Sequence, residues 1–237
     1  MFGALIAGWI TAGAVAAGYQ SMAPTGQWYG PAFTGLARGA RQIALTYDDG
    51  PNDPYTLKLL DVLEKHRVKA TFFLIGRYVR QRPEIARAVA QAGHVIGNHT
   101  FSHPLLIFKS QAEIRRELLN CRAAIEDAVG EHSKFFRPPF GGRRPAVLRI
   151  ARELGFEPVM WNLTGYDWNA ATVHAIEKKV VGHMRGGDVI LLHDGGHIKM
   201  GADRSRTVAA TERLIARYQP EYEFVTVSRM LGRANGK

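Results

Sequence analysis

The sequence predicts an α/β fold: a single-domain, incomplete (distorted) β/α barrel of about seven parallel strands with surrounding helices. Three observations carry this. From Gln42 onward, short apolar runs alternate with longer amphipathic stretches. Most of those runs are apolar at nearly every position rather than at every second one, as in strands covered by helices on both faces. No Gly-rich dinucleotide fingerprint follows the first run, which weighs against the competing architecture, an open doubly wound sheet that binds a nucleotide.

The elements follow in order. Residues 43–47 are an apolar run closed by Asp48-Asp49-Gly50-Pro51, a strand that ends in a loop. Asp53-Pro54 reads as a helix start, with Asp as cap and Pro in the first turn, and that helix runs to about His66. Strands are expected at 70–75 and 94–97, with a helix at 83–92 between them that Gly93 stops. Ser110-Gln111-Ala112-Glu113 is a capping box. The helix it opens carries the stripe Ile114, Leu118, Cys121, Ile125 and Ala128 and stops at Gly130. Further strands are expected at 134–136, 157–161, 188–192 and 223–226, with helices at 145–154, 172–184 and 206–218.

A chain of 237 residues fits one sizeable domain. Its single cysteine, Cys121, excludes an internal disulfide and sits on the apolar stripe as a small core residue. The net charge of +10 suits anionic partners such as acidic cell-wall polymers, a membrane surface or nucleic acid, but general surface charge is the preferred reading over any specific polyanion site. The basic residues are scattered, as in Arg115-Arg116 and Arg143-Arg144, and form no stripe with interleaved aromatics, so no nucleic-acid partner is expected.

The N-terminus differs from the rest. Residues 2–18 are apolar or small apart from Thr11, and the first charged side chain is Arg38. Seventeen residues rising about 1.5 Å each would nearly cross a bilayer core. Three readings stand: a signal-peptide apolar region with a small-residue site near residues 14–16, an uncleaved membrane anchor, or a buried helix. Export or anchoring, facing the cell envelope, is the leading expectation. The organisation expected is therefore residues 1–20 as a hydrophobic segment, 21–41 as a Gly/Pro-rich linker, and 42–237 as the α/β domain.

In β/α barrels the chemistry lies where strands end and loops begin. Five polar clusters fall at such places. Asp48-Asp49 sets two adjacent carboxylates at a strand end, where a cation would relieve their repulsion; a solvated Asp-Gly-Pro turn is the alternative. Because successive strand side chains point opposite ways, one Asp could bind a metal while the other faces water or substrate. His99 and His103 lie on one face if the segment is helical, although Pro104 disfavours that geometry at His103. Two histidines and one aspartate make a three-ligand site with an open position, as a catalytic divalent metal requires. Arg137-Pro138-Pro139-Phe140-Gly141-Gly142 is either a structural turn or a rigid loop offering an Arg to a carboxylate and an N–H to an oxyanion. Tyr166-Asp167-Trp168 offers a Trp to stack on a sugar ring, or is simply core. His193, at the end of an apolar strand, is placed as an acid or base. His66, His94, His132, His174, His183 and His197 lack such placement and read as structural or surface residues.

In order, the strings TYDDG, HTFSH, RPPFG, YDW and LLH resemble the polysaccharide deacetylase family, the NodB-homology domain of carbohydrate esterase family 4, over about residues 42–226. The resemblance implies metal-dependent hydrolysis of the N-acetyl group of N-acetylglucosamine-type residues in a cell-wall or chitin-like glycan, releasing acetate. It implies one divalent metal, zinc or a similar ion such as cobalt, held by Asp49, His99 and His103. Asp48 would be the general base, Arg137 would hold it, and the backbone N–H of Phe140 would stabilise the oxyanion. His193 would protonate the leaving amine with Asp167 orienting it, while Trp168 and Leu191 would line the acetyl pocket. The chain departs from the family pattern at Tyr47, where Phe is commoner, and at Thr164, where many relatives carry an Asp. Rival readings are a deformylase or amidase acting on a lipid-linked sugar, an O-acetyl esterase on xylan, a glycosidase using paired carboxylates, and an inactive sugar-binding protein.

Overall fold

The computed structural model describes Gly13 and residues 15–232. Its centre is β1 (Gln42–Gly50), flanked by β2 (Thr71–Leu74) and β7 (Val189–His193). Outward on one side come β3 (Val95–Asn98), β4 (Phe135–Phe136) and β5 (Glu157–Pro158); on the other comes β6 (Leu163–Thr164). All pairings are parallel, and β8 (Glu223–Phe224) pairs with the first residues of β1. The sheet curls into an incomplete barrel of seven parallel strands, as expected.

Alternation along β1 explains how the barrel is filled. Ile43, Leu45 and Tyr47 face the helix layer and join the main core with Leu59, Leu63, Phe72, Ile125, Leu192 and Leu214. Tyr47 stacks on Phe72 with ring centroids 5.1 Å apart, and its hydroxyl meets Thr211 Oγ1 at 3.0 Å. The hydroxyl that distinguishes it from Phe therefore finds a partner. Ala44 faces inward to a second cluster with Phe73, Phe135, Val159 and Val189. Thr46 points inward too, and the Arg137 guanidinium donates to its Oγ1 at 2.8 Å.

Helices α1 (Tyr55–Lys65), α3 (Pro83–Gln91), α4 (Gln111–Val129), α5 (Pro145–Glu153), α6 (Val173–Val181) and α7 (Ser205–Tyr218) match the expected ones within a few residues. The Ser110 capping box forms in full, and Gly130 closes α4 in the left-handed conformation with φ 80°. Cys121 is buried on the inner face of this helix, and burial pushes its thiol up to about 12.

Some details differ. Asp53 does not cap α1, whose cap residue is Pro54; its carboxylate instead pairs with Arg82 at 2.5 Å. Helix α2 (Gly76–Gln81), strand β6 and helix α8 (Val227–Met230) are additional. Each is two to six residues long, too short to show a period in sequence.

Residues 15–22 are helical, and the segment read as a linker lies along the barrel. Phe33 bridges Val159 and Gly35 bridges Asp188, so this segment spans the seam between β5 and β7. Arg143, fully buried, donates to the backbone oxygens of Ala23, Gly26 and Gly141 at 2.5, 2.7 and 2.9 Å. Among the described residues no helix is long and apolar enough to cross a membrane; residues 1–12, which hold most of the apolar segment, lie outside them.

Candidate active site

Strand register brings the polar clusters to one level at the carboxyl end of the sheet. Asp48 pairs with Phe73 on β2 and His193 on β7, Leu74 with Asn98 on β3, and Asn98 with Phe136 on β4. The residue after each of β3 and β4 is then His99 or Arg137. All ten residues singled out in the sequence sit at or beside this end. Asp48, Asp49, His99, His103, Phe140, Trp168, Leu191 and His193 line one cavity of about 570 Å³. Asp167 and Arg137 stand behind its wall. A second hollow of about 730 Å³, between Phe33 and Arg152, holds none of them.

β1 does not end as simple alternation would have it. Its register shifts between Asp48 and Gly50, and Asp49 is left-handed at φ 74°. This bulge turns Asp49 so that both carboxylates face the cavity, where a regular strand would have sent them to opposite faces. Two glycines let the β1 and β7 loops touch: a Cβ on Gly50 would lie 2.1 Å from Asp194 Oδ2, and one on Gly195 would lie 2.0 Å from the Asp49 carbonyl oxygen.

Asp49, His99 and His103 each present a ligand atom, and all three lie within 4.8 Å of one another. Asp49 Oδ1 stands 3.6 Å from His99 Nε2 and 3.2 Å from His103 Nε2. His99 Nδ1 lies 2.8 Å from the carbonyl oxygen of Arg137. A carbonyl only accepts, so Nδ1 carries the proton and Nε2 offers its lone pair to the cavity. The segment carrying both rings is a loop rather than a helix, with Thr100 and His103 left-handed at φ 65° and 62°. The looser turn that Pro104 implies is the one adopted.

Burial pushes His99 down to about 3 and His103 further down, so both rings are neutral. Burial likewise raises Asp49 to about 6. Its Oδ1 is buried without a hydrogen-bond partner. Two neutral imidazoles, an unsatisfied carboxylate oxygen and a side open to the cavity fit a divalent cation.

Asp48 is held differently. Arg137 Nη1 donates to its Oδ1 at 2.7 Å, while Nε and Nη2 donate to the carbonyl oxygens of Val159 and Met160 at 3.2 and 3.0 Å. The guanidinium also lies over the Phe73 ring at 4.1 Å and near the Trp161 ring at 5.5 Å. Burial raises the Asp48 carboxyl, and the charge of Arg137 opposes that rise.

On the far side, His193 Nδ1 lies 2.9 Å from Asp167 Oδ1. Asp167 Oδ2 accepts from the His193 backbone N–H and from Thr207 Oγ1, both at 2.8 Å. Burial pushes His193 down, but the hydrogen-bonded Asp167 carboxylate outweighs it, and Asp49 and Asp48 add to the rise, to about 9. Trp168 is 49% exposed and sets its edge against the His193 ring at 5.1 Å. Thr164 Oγ1 accepts from the Tyr166 N–H at 3.3 Å, so no second carboxylate from that position joins the Asp167–His193 pair.

Sequence reasoning missed several neighbours, among them Ile198, Lys199, Ala202 and Arg204 on the cavity wall, and three more bear on the chemistry. His197, read as structural or surface, lies in the cavity, stacked on His103 with centroids 4.9 Å apart and planes 25° apart. Asp194 is fully buried, accepts from Thr56 Oγ1 at 2.5 Å, and is raised to about 7 by burial. Trp161 completes the wall. Asp194 could have been suspected from its place after a strand-end His. Nothing in the pattern marks His197, which comes four residues into a loop.

The family described as Polysaccharide deacetylase matches residues 36–159. A peptidoglycan-N-acetylglucosamine deacetylase of Bacillus cereus is 38% identical over 192 residues, covering 80% of this chain and 87% of the relative. A chitooligosaccharide deacetylase of Sinorhizobium fredii is 39% identical over 183 residues, covering 75% and 85%. The solved structure of a peptidoglycan N-acetylglucosamine deacetylase in complex with 4-naphthalen-1-yl-N-oxidanyl-benzamide superposes with a TM-score of 0.79 at 35% identity, covering 87% of this chain and 94% of that one. A CE4 family pseudoenzyme from Bacillus anthracis superposes with a TM-score of 0.78 at 27% identity, covering 85% and 69%. The chain belongs to the polysaccharide deacetylase family of enzymes.

Proposed function

We propose that the chain hydrolyses the N-acetyl group of N-acetylglucosamine residues in peptidoglycan, releasing acetate, with one divalent ion, zinc first, held by Asp49, His99 and His103. The observation that carries this is the convergence of that trio, the Arg137-held Asp48 and the Asp167-held His193 on one cavity. A solved neighbour is named a pseudoenzyme, so likeness of fold does not itself carry turnover. The reading rests instead on the complete residue set. Peptidoglycan is preferred to chitin-like oligosaccharides because several peptidoglycan deacetylases are among its relatives.

Amide hydrolysis needs an activated water, a stabilised oxyanion and an acid for the nitrogen. The ion, when bound, supplies Lewis acidity and lowers the pKa of a neighbouring water from ~15.7 towards ~7. Asp48, pinned by Arg137, takes the proton of the attacking water. The backbone N–H of Phe140 stabilises the charge that develops on the acetyl oxygen. His193, protonated through Asp167, gives its proton to the departing sugar nitrogen. Leu191 and Trp168 hold the acetyl methyl, and the exposed Trp168 face is free to meet the sugar.

The test is acetate release by the full chain from purified peptidoglycan and from N-acetylglucosamine oligomers, after chelation and after zinc is restored. Release that needs zinc supports the reading, and release that persists without any metal would overturn it. We further propose that residues 1–20 export or anchor the protein toward the envelope, on the strength of their uncharged apolar composition. Recovery of all the protein from the cytosolic fraction would sink that.

A further inference from the structure

The two histidines of the trio are oriented by different means, and this rests on the metal reading above. A metal-binding histidine ordinarily fixes its ring by donating the second N–H to a carbonyl, a carboxylate or water. His99 does so through Arg137. His103 does not: its Nδ1 is buried and meets no hydrogen-bond partner from any other described residue, with only its own backbone beside it. Its backbone is left-handed at φ 62°, and the backbone N–H is spent on Thr100 Oγ1 at 3.1 Å. What touches the ring is aromatic. His197 stacks on it at 4.9 Å and 25°, and Phe140 sets an edge against it at 4.6 Å and 73°. Phe140 and His197 also meet each other at 5.1 Å and 80°, so the three rings close a triangle.

His197 itself comes from a fixed backbone. Arg77 donates to the His197 carbonyl oxygen, Tyr78 Oη donates to that of Gly196 at 3.1 Å, and Arg204 Nε donates to that of Gly195 at 2.6 Å. The loop is thereby tied to α2 on one side and to the start of α7 on the other. A ring delivered from such a loop can hold its neighbour by packing where a hydrogen bond is missing. His197 is not itself a member of the trio: its Nδ1 comes within 3.9 Å of Asp49 Oδ2, but its ring lies parallel to His103 rather than converging with it on a point.

We infer that His197 is a positioning residue: its ring, with that of Phe140, clamps His103 in the orientation that binds the metal, in place of the hydrogen bond that holds His99. The role belongs to the ring's shape and not to its nitrogen atoms. Removing the ring should free His103 to turn and weaken the site, on the order of tenfold or more, as loss of an orienting partner does elsewhere. A ring without nitrogens should serve nearly as well.

The experiment is zinc binding to the metal-stripped full chain, measured by competition with a chromophoric chelator, for the wild type, His197→Ala and His197→Phe. Thermal unfolding of the stripped proteins checks that each is folded; His197 is 41% exposed at the side chain, so both substitutions should fold. The expected result is one zinc per wild-type chain, at least tenfold weaker binding in His197→Ala, and affinity within threefold of wild type in His197→Phe. The d–d spectrum of the cobalt-loaded proteins should be perturbed in the Ala variant and restored in the Phe variant. Unchanged affinity in His197→Ala overturns the clamp. Weakened binding that His197→Phe does not restore also overturns it, because a nitrogen of His197 would then be what matters. A wild type that binds no zinc overturns the metal reading itself, and is distinguishable from both.

Discussion

His99 and His193 end up in the same cavity, each shielded from water at the carboxyl end of a strand, and the protein drives them in opposite directions. Burial pushes His99 down to about 3. His193 is raised to about 9 although burial opposes the rise. The difference lies in what each Nδ1 meets. For His99 it is a neutral backbone carbonyl; for His193 it is the Asp167 carboxylate, itself fixed by Thr207 and a backbone N–H. Both contacts are hydrogen bonds of nearly equal length. Only the second brings a negative charge, and that charge decides whether the ring keeps its proton. One residue type thus supplies a lone pair on one wall and a proton on the opposite wall.

The comparison breaks most completely at Asp49. Its carboxylate is the one charged member of the trio, so Asp49→Ala should abolish stoichiometric zinc binding. Turnover should fall with it by several kcal/mol of transition-state stabilisation, on the order of 10³-fold or more. Metal analysis of the purified variant alongside acetate release checks this. Retained stoichiometric zinc would remove Asp49 from the ligand set.

His193→Ala acts on the other wall. Zinc affinity should stay near that of the wild type, because His193 lies outside the trio. Turnover of the N-acetyl amide should drop roughly 10²–10⁴-fold, the usual worth of a general acid. An ester analogue, whose leaving group needs less help from an acid, should suffer less. Equal losses on amide and ester would point to a role other than proton donation.

Much of this division was legible in sequence, for a physical reason. Apolar runs that end in polar clusters mark strand ends, and strand ends in a parallel barrel share one rim, so Asp48, His99, Arg137 and His193 could be grouped before their distances were known. The bulge at Asp49 was not legible, since period-2 alternation says nothing of a left-handed residue at the last position. Nor was the reach of His197 or of Asp194 into the site, although Asp194 follows a strand-end His. The first reaches the cavity through the path of a loop, and the second is drawn in by the close approach that Gly50 and Gly195 permit. The short elements β6 and α2 escaped for want of length, and residues 21–41 because contacts such as those of Arg143 leave no mark on local composition.

Asp167→Asn tests the comparison at its source, with a smaller expected loss of rate. The amide keeps the size of the carboxylate and an oxygen able to accept from Nδ1, but the charge is gone. The cause that outweighed burial then disappears, and His193 should titrate below its ordinary value of ~6.5. In the metal-free protein, NMR titration of the ring should move from about 9 in the wild type to the acid side of neutrality in the variant. The sign for catalysis follows directly: the acid is competent only while protonated, so the alkaline limb of the rate profile should shift to lower pH, and activity at neutral pH should fall about tenfold or more. Stability should change in the same window. Wild-type His193 contributes stability that is fully present below ~6.5 and is lost as pH rises through about 9. The variant should lack that contribution, so the gap in unfolding temperature between the two proteins should be widest near pH 6 and should close above pH 9. A ring that still titrated near 9 in Asp167→Asn would assign the rise to Asp48 and Asp49 instead, and the two walls of the cavity would then be coupled through their carboxylates.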